Sequence, residues 1–486
     1  MRVQWLPSTG PRMTPPRRSP RVTLACLALA GVSYALMQSL VVPALPAMQA
    51  DLHTSARSTS WIFTAYLLSA SIATPLIGRL GDIHGKKRVL VWVLVLLFAG
   101  TLLSAVASSI VPMIAGRIVQ GVAGGMFPLA FGIIRDEFPR EEVPGSIGIV
   151  SSLLGIGGGL GIVLSGVIVD HLSYHWLFWL PLAPIALATA GVALLVPESA
   201  VRASARIPWL PAVLLSIGLA ALLYALSNAV EWGWGSPRTL GLVAVALAAL
   251  VAWVRVELRA HTPLVDMRVM RRRAVWTTNL AAALVGTGMY SGFVLIPQFA
   301  ETPVRAGFGF GSSVTGAGLL MLPLTTTMLI AGAAAGRLEL RFGSRAALVA
   351  GTIATAASFV VLTLAHSTRA EIVVAGLLMG AGIGLAFAAL PNLIVETVPA
   401  DQTGVATGIN TIARTIGGAF GTQIAGSVIA ASVVVSGGLP AAHGYTDAFA
   451  ILTGLLVLAT LAALAIPGRS GSGRDEREPA LEAAAA

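Results

Sequence analysis

Fourteen apolar runs, each bounded by charge or by Pro and Gly clusters, constrain this chain more than any other feature. They cover residues 22–46, 59–78, 88–108, 111–134, 145–169, 176–196, 208–228, 239–256, 275–299, 313–335, 346–365, 371–395, 404–434 and 448–466. A helix needs roughly 20 apolar residues to cross about 30 Å of hydrocarbon. In lipid every backbone amide must be satisfied within the spanning structure, which favours helices here over open strands. The expected fold is therefore all-α and polytopic, with 14 transmembrane helices. Charged residues make up 11% of the chain, against about 25% in soluble domains.

The net charge of +10 does not point to nucleic acid, because the arginines lie in short segments between apolar runs rather than on one soluble face. With a cytoplasmic N-terminus, 25 of the 31 Lys and Arg residues fall on the cytoplasmic side. Four fall outside (Arg57, Arg238, Arg305, Arg369) and two within runs (Arg117, Arg414). That bias predicts both termini in the cytoplasm. Arg17, Arg18 and Arg21 precede a first run too long for a cleaved leader, so it reads as a span. Cys26 is the single cysteine, which excludes an intrachain disulfide. Asp170, His171 and His175 cluster at the outer side, but three exposed groups make a poor metal site, and no metal is expected. GxxxxGK[ST], GxSxG and HExxH are absent, which removes support for ATP-driven transport and for common hydrolytic chemistry.

One stretch, GRLGDIHGKKR at 78–88, has an echo in GRLELRFGSR at 336–345. Gly336 aligns with Gly78, Leu338 with Leu80, Gly343 with Gly85 and Arg345 with Lys87. Both copies follow the second run of a set of six if runs 7 and 8 are an insertion. The expected plan is a tail (1–21), a six-helix bundle (22–198), two inserted helices with linkers (199–273), a second six-helix bundle (274–467) and a tail (468–486). Such internal symmetry marks secondary transporters, whose two bundles rock about a central site. Asp82 is placed to cap a neighbouring helix N-terminus and to meet Lys86 or Lys87. In the echo, Leu340 falls at the aspartate's place and Glu339 should point elsewhere, so only the first copy is expected to act as a switch.

GRLGDIHGKKR resembles the loop signature of the major facilitator superfamily. RSTSWIFTAYLLS (57–69), RIVQGVAGG (117–125), YHWLFW (174–179), VPES (196–199), LLYALSNAVEWGW (222–234), PLVDMRVMRRR (263–273) and FVLIPQF (293–299) resemble its fourteen-helix drug:proton antiporter branch. The resemblance implies a proton-driven exporter of small apolar or amphipathic compounds, antibiotics included, in a bacterial cytoplasmic (inner) membrane. No cofactor is implied beyond the proton gradient. The partners implied are the lipid bilayer, a small hydrophobic substrate and protons, with no nucleic acid and a monomer as the working state. By the same resemblance Gly78, Asp82, Gly85, Lys86, Lys87 and Asp136 form a conformational latch.

Arg117, Gln120, Gly121 and Gly124 share one helical face. The family couples protons at that arginine, so Arg117 and Gln120 are candidates. The alternative is a structural arginine bonded to backbone carbonyls. Arg414 could play a similar part in the second half. Gly148, Gly155, Gly159 and Gly166 fall near one face of the fifth run, and Gly155, Gly159, Gly161 and Gly166 are the expected helix-packing glycines.

Three departures stand out. Gly161–Ile162 replaces the family's Gly-Pro, Met37 stands where the branch has an aspartate, and Ile83 stands where the family often has arginine. Without the aspartate, neutral or weakly polar cargo is favoured over cations. The candidate pocket residues are Met37, Gln38, Trp61, Tyr66, Asn279, Tyr290, Phe293 and Gln298. A carrier of one specific metabolite and, in another class, a lipid-modifying membrane enzyme are the competing readings.

Overall fold

A computed structural model describes residues 19–199, 201, 208–260, 263–433 and 440–467. Both chain tails, parts of the linkers flanking the insert, and Arg17 and Arg18 lie outside those residues. Among the described residues there are fourteen helical segments of 20 residues or more. The first seven are α1 (Pro20–Ser39), α2 (Ala56–His84), α3 (Lys86–Ala105), α4 (Ile110–Glu137), α5 (Val143–His171), α6 (Trp176–Leu195) and α7 (Trp209–Trp232). The others are α8 (Pro237–Arg259), α9 (Arg273–Glu301), α10 (Val314–Phe342), α11 (Ser344–Leu364), α12 (Arg369–Thr397), α13 (Thr403–Ala431) and α14 (Ala442–Leu464). Among the described residues twelve helices are long and apolar enough to cross a membrane, and α13 is outside that set. In α13 the reason is visible, since threonine recurs at Thr403, Thr407, Thr411, Thr415 and Thr422.

Local chemistry sets the ends. Pro20 opens α1 where its missing N–H costs nothing. Ser55, Ser236 and Ser313 each accept a bond from a first-turn amide. Thr368 and Glu371 form a reciprocal capping box at α12. The first run is shorter as a helix than expected: α1 stops at Ser39, and Leu45–Asp51 forms a separate short helix. Within α4 the sequence VAGG (Val122–Gly125) tightens to a 3₁₀ turn.

The charged stretch at 78–88 is not a loop. Helix α2 continues to His84, Gly85 alone turns the chain with φ +104°, and α3 starts at Lys86. The echo repeats this at Gly343, with φ +84°. Left-handed backbone of this kind is available to glycine at little cost.

Two separate apolar cores result. One draws on residues 26–196 of α1–α6 together with Val395, and the other on residues 281–466 of α9–α14. The insert joins through a smaller cluster, in which Ala212, Leu215 and Leu219 of α7 and Leu264–Met267 of the linker pack with Val405 and Ile412 of α13. Helix α8 packs on α7 and leaves Leu240, Val245, Leu247, Val251 and Leu258 exposed. Exposed apolar surface on that scale suits contact with lipid tails, not water.

Candidate functional site

The two cores meet at the basic end of the molecule, at two junctions. At the first, α2 crosses the start of α13 so closely that a methyl on Gly78 would lie 2.4 Å from Gly404 O. Asp82 is wholly buried one turn further on. Its Oδ1 accepts from Gly404 N and its Oδ2 from Val405 N, each at 3.2 Å. These are first-turn amides of α13, where a carboxylate satisfies orphan donors and the helix dipole together.

Lys86 Nζ lies 3.8 Å from Asp82 Oδ1 and donates to Asp136 Oδ2 at 2.7 Å. Its aliphatic stem occupies the slot that Gly132 leaves open. The expected set of Asp82, Lys86 and Asp136 is thus assembled. Lys87 takes part differently from expectation: its backbone N–H donates to Glu198, and its ammonium makes no ion pair among the described residues.

Three residues absent from the expected set complete this junction. Glu198 accepts from Lys87 N and Arg88 N at 3.1 Å each, capping α3 beside Gly85. Ser199 donates to Asp136 Oδ2. Arg135 reaches across to the end of α12, donating to Val398 O at 2.9 Å, to Pro399 O and to the Thr403 hydroxyl. The corner between α12 and α13 is therefore held by a cation at the helix end that exposes carbonyls and a carboxylate at the helix start that exposes amides. The signals were present in VPES and in the Arg-Asp pair of IIRDEFP, but neither shows in sequence which distant chain end it meets.

The second junction corrects an expectation. A methyl on Gly336 of α10 would lie 2.4 Å from Gly145 Cα of α5. One turn on, Glu339 is buried with 3% exposure while Leu340 is 61% exposed. Steps of three and of four both return to the same helical face, so Glu339 takes the crossing position. Its Oε2 accepts from Asn392 Nδ2 at 2.8 Å, and that amide also reaches Pro144 O of α5 at 3.3 Å. Ser344 Oγ lies 2.9 Å from Glu339 Oε2 and 2.9 Å from Glu396 Oε1. One hydroxyl therefore bridges the two carboxyl groups. No cation pairs with Glu339 among the described residues.

Beyond the junctions a cavity of ≈ 380 Å³ lies between the two helix sets. Its lining runs from Thr74, Gly124 and Thr411 to Val42, Pro43 and Glu301 at the far end. Of the expected pocket residues it brings together Gln38, Tyr290, Phe293 and Gln298. Four others are placed elsewhere. Met37 is buried beside Thr101, Tyr66 lies under Arg117, Trp61 stacks near Tyr224 of the insert, and Asn279 accepts from Asn410.

The two in-run arginines differ. Arg117 Nε donates to Ile62 O at 3.0 Å, and its Nη1 donates to Met37 O at 3.2 Å and Gln120 Oε1 at 2.6 Å. Gln120 in turn donates to Thr101 and Ser104. This is the geometry of the structural alternative, an arginine tying α1, α2 and α4 together. Arg414 lines the cavity, with Cζ 4.2 Å from the centre of the Phe387 ring.

Gly148 and Gly166 of α5 share one face, and Gly161 lies on another. Gly161 abuts Ser39 of α1, whereas Gly148 and Gly166 abut Gly332 and Thr315 of α10. The surroundings of Gly155 and Gly159 lie outside the described residues.

Helix sets with separate cores meeting around a shared cavity are the arrangement of a multi-pass membrane transporter. The chain belongs to the Major Facilitator Superfamily, whose family model matches residues 27–422. It is 29% identical over 427 residues to the tetracenomycin C resistance and export protein of Streptomyces glaucescens, covering 86% of this chain and 77% of that one. It is 28% identical over 399 residues to the multidrug transporter protein MdtP of Bacillus subtilis, covering 81% and 72%. It is 28% identical over 453 residues to the puromycin resistance protein pur8 of Streptomyces alboniger, covering 88% and 87%. The crystal structure of the human organic anion transporter MFSD10 shares the fold, with a TM-score of 0.66 at 18% identity over 93% of this chain and 100% of that one.

Proposed function

We propose that this chain exports small apolar or amphipathic compounds, antibiotics among them, by alternating access driven by proton entry. On this reading it crosses a bacterial cytoplasmic membrane fourteen times, with both termini inside. The orientation rests on the positive-inside bias of its linkers. The observation that carries the reading is the asymmetry of the central cavity. It is lined by both helix sets, with the charge-assisted bonds of Asp82 and Arg135 across the interface at the basic end, while at the far end the neutral Thr315 hydroxyl of α10 donates to Asp170 of α5 at 3.2 Å. The printed functions of the resistance and export relatives agree with it.

The same geometry supports a latch. Charge-assisted bonds to buried groups contribute about 1.5–3 kcal/mol each, so the Asp82 and Arg135 sets together favour the form closed at the basic end by several kcal/mol. Rocking to the other form exchanges these bonds for water. The bridging of two carboxyl groups, Glu339 and Glu396, by the Ser344 hydroxyl supports coupling to a proton gradient. A drug-susceptibility panel with and without expression, each arm with and without a protonophore, tests the proposal. Resistance to at least one compound that the protonophore abolishes is expected. No added resistance to any compound would shift the reading to a carrier of one specific metabolite.

A further inference from the structure

We infer that the central cavity takes an aromatic acid, with Arg414 as the residue that reads its negative group. This rests on the transport reading above and adds the chemical class of the cargo. Arg414 is 6% exposed, lines the cavity and has no carboxylate partner. Its Nε is buried without a hydrogen-bond partner, and its guanidinium makes no hydrogen bond to protein among the described residues. A buried cation is costly to hold unless something pairs with it. The Phe387 face beneath the guanidinium fixes its plane but supplies no acceptor.

Arg117 differs in degree, since three of its hydrogen bonds go to protein acceptors and its Nη2 is the nitrogen left buried without a partner. What Arg414 lacks is a planar acceptor of two hydrogen bonds, which a carboxylate supplies in the fork geometry of a guanidinium. The rest of the lining is suited to a flat ring, with Tyr34, Phe127, Tyr290, Phe293 and Phe387 around it. Glu301 is the one carboxylate in the lining. It is exposed in the last turn of α9, where water screens it, and it makes no ion pair with Arg414. A cationic ligand would meet the buried guanidinium at close range, and a neutral one would leave it unpaired.

The test uses the purified full chain and three naphthalene probes of one size: 2-naphthoate, 2-naphthamide and 2-naphthylmethylammonium. Binding is read by probe fluorescence polarisation. The wild type should hold the naphthoate about tenfold tighter than either other probe. Arg414→Gln should bring naphthoate to within about twofold of the amide while leaving amide binding in place, which also shows that the variant is folded. Arg414→Lys keeps the charge without the fork and should retain a preference of about threefold. Equal or tighter binding of the amide or ammonium by the wild type would overturn the inference. So would absence of naphthoate binding, or an undiminished preference in Arg414→Gln. If Arg414→Gln loses the amide as well, the wild-type preference and the Lys variant decide. Failure of the export reading would appear separately, as absence of gradient-driven flux for every compound, because this preference is measured without flux.

Discussion

The two junctions at the basic end share a backbone plan and differ in charge. In each, a helix ending in a single turning glycine crosses another helix at glycine-width distance, with a buried carboxyl one turn beyond the crossing. At the first, the carboxyl faces open amides and a lysine, with a second aspartate and an arginine completing the set. At the second, the carboxyl meets an amide and a hydroxyl, with another carboxyl behind. The first is held by charge-assisted bonds and the second by an amide and a bridging hydroxyl, so one backbone plan carries two kinds of contact.

The comparison breaks if the first junction can lose its charge without consequence. Asp82→Asn should slow dye efflux by at least about tenfold at equal membrane level, since losing one partner of a buried charged set costs about 3–5 kcal/mol. Unchanged efflux would remove the first junction as a switch. Arg135→Gln should give a smaller loss, about three- to tenfold, because the Asp82 bonds to α13 remain. An effect larger than that of Asp82→Asn would move the weight to the α12 carbonyls.

The second junction predicts a different signature. The closed form brings the Glu339 and Glu396 carboxyls to one hydroxyl, 2.9 Å from each, with no paired cation among the described residues. The form with more bound protons gains as pH falls and loses as pH rises. The cations nearby are engaged elsewhere: Arg341 of α10 lies over Phe342, Arg345 of α11 donates to Leu464 O, and Arg135 of α4 grips α12. Glu339→Gln should keep efflux within about threefold and flatten its dependence on the pH of the basic side, measured in inverted vesicles. An unaltered pH slope would break the distinction between the junctions. Lys87→Ala should have the smallest effect, under about twofold, because only its backbone N–H is used. A loss comparable to that of Lys86→Ala would show that its ammonium matters.

Much of the first junction is legible in the sequence, because six ionisable groups between apolar runs stand out and their spacing is local. Its reach is not: Glu198, Ser199 and the 398–405 corner come from over a hundred and over three hundred residues away. Glu339 is hidden by register, since aligning the echoes position for position puts Leu340 in the aspartate's place although either offset reaches the interface. The cavity is only half legible for a related reason. In a membrane helix the lipid face and the packed face are both apolar, so pattern alone cannot tell Gln38, which lines the cavity, from Met37, which is buried behind it.

Gly85 and Gly343 carry a mechanical consequence. One residue between two long helices leaves no slack, so α2 with α3, and α10 with α11, must each travel as a rigid hairpin. A tug on Asp82 is then transmitted undiminished to the far tip of α3.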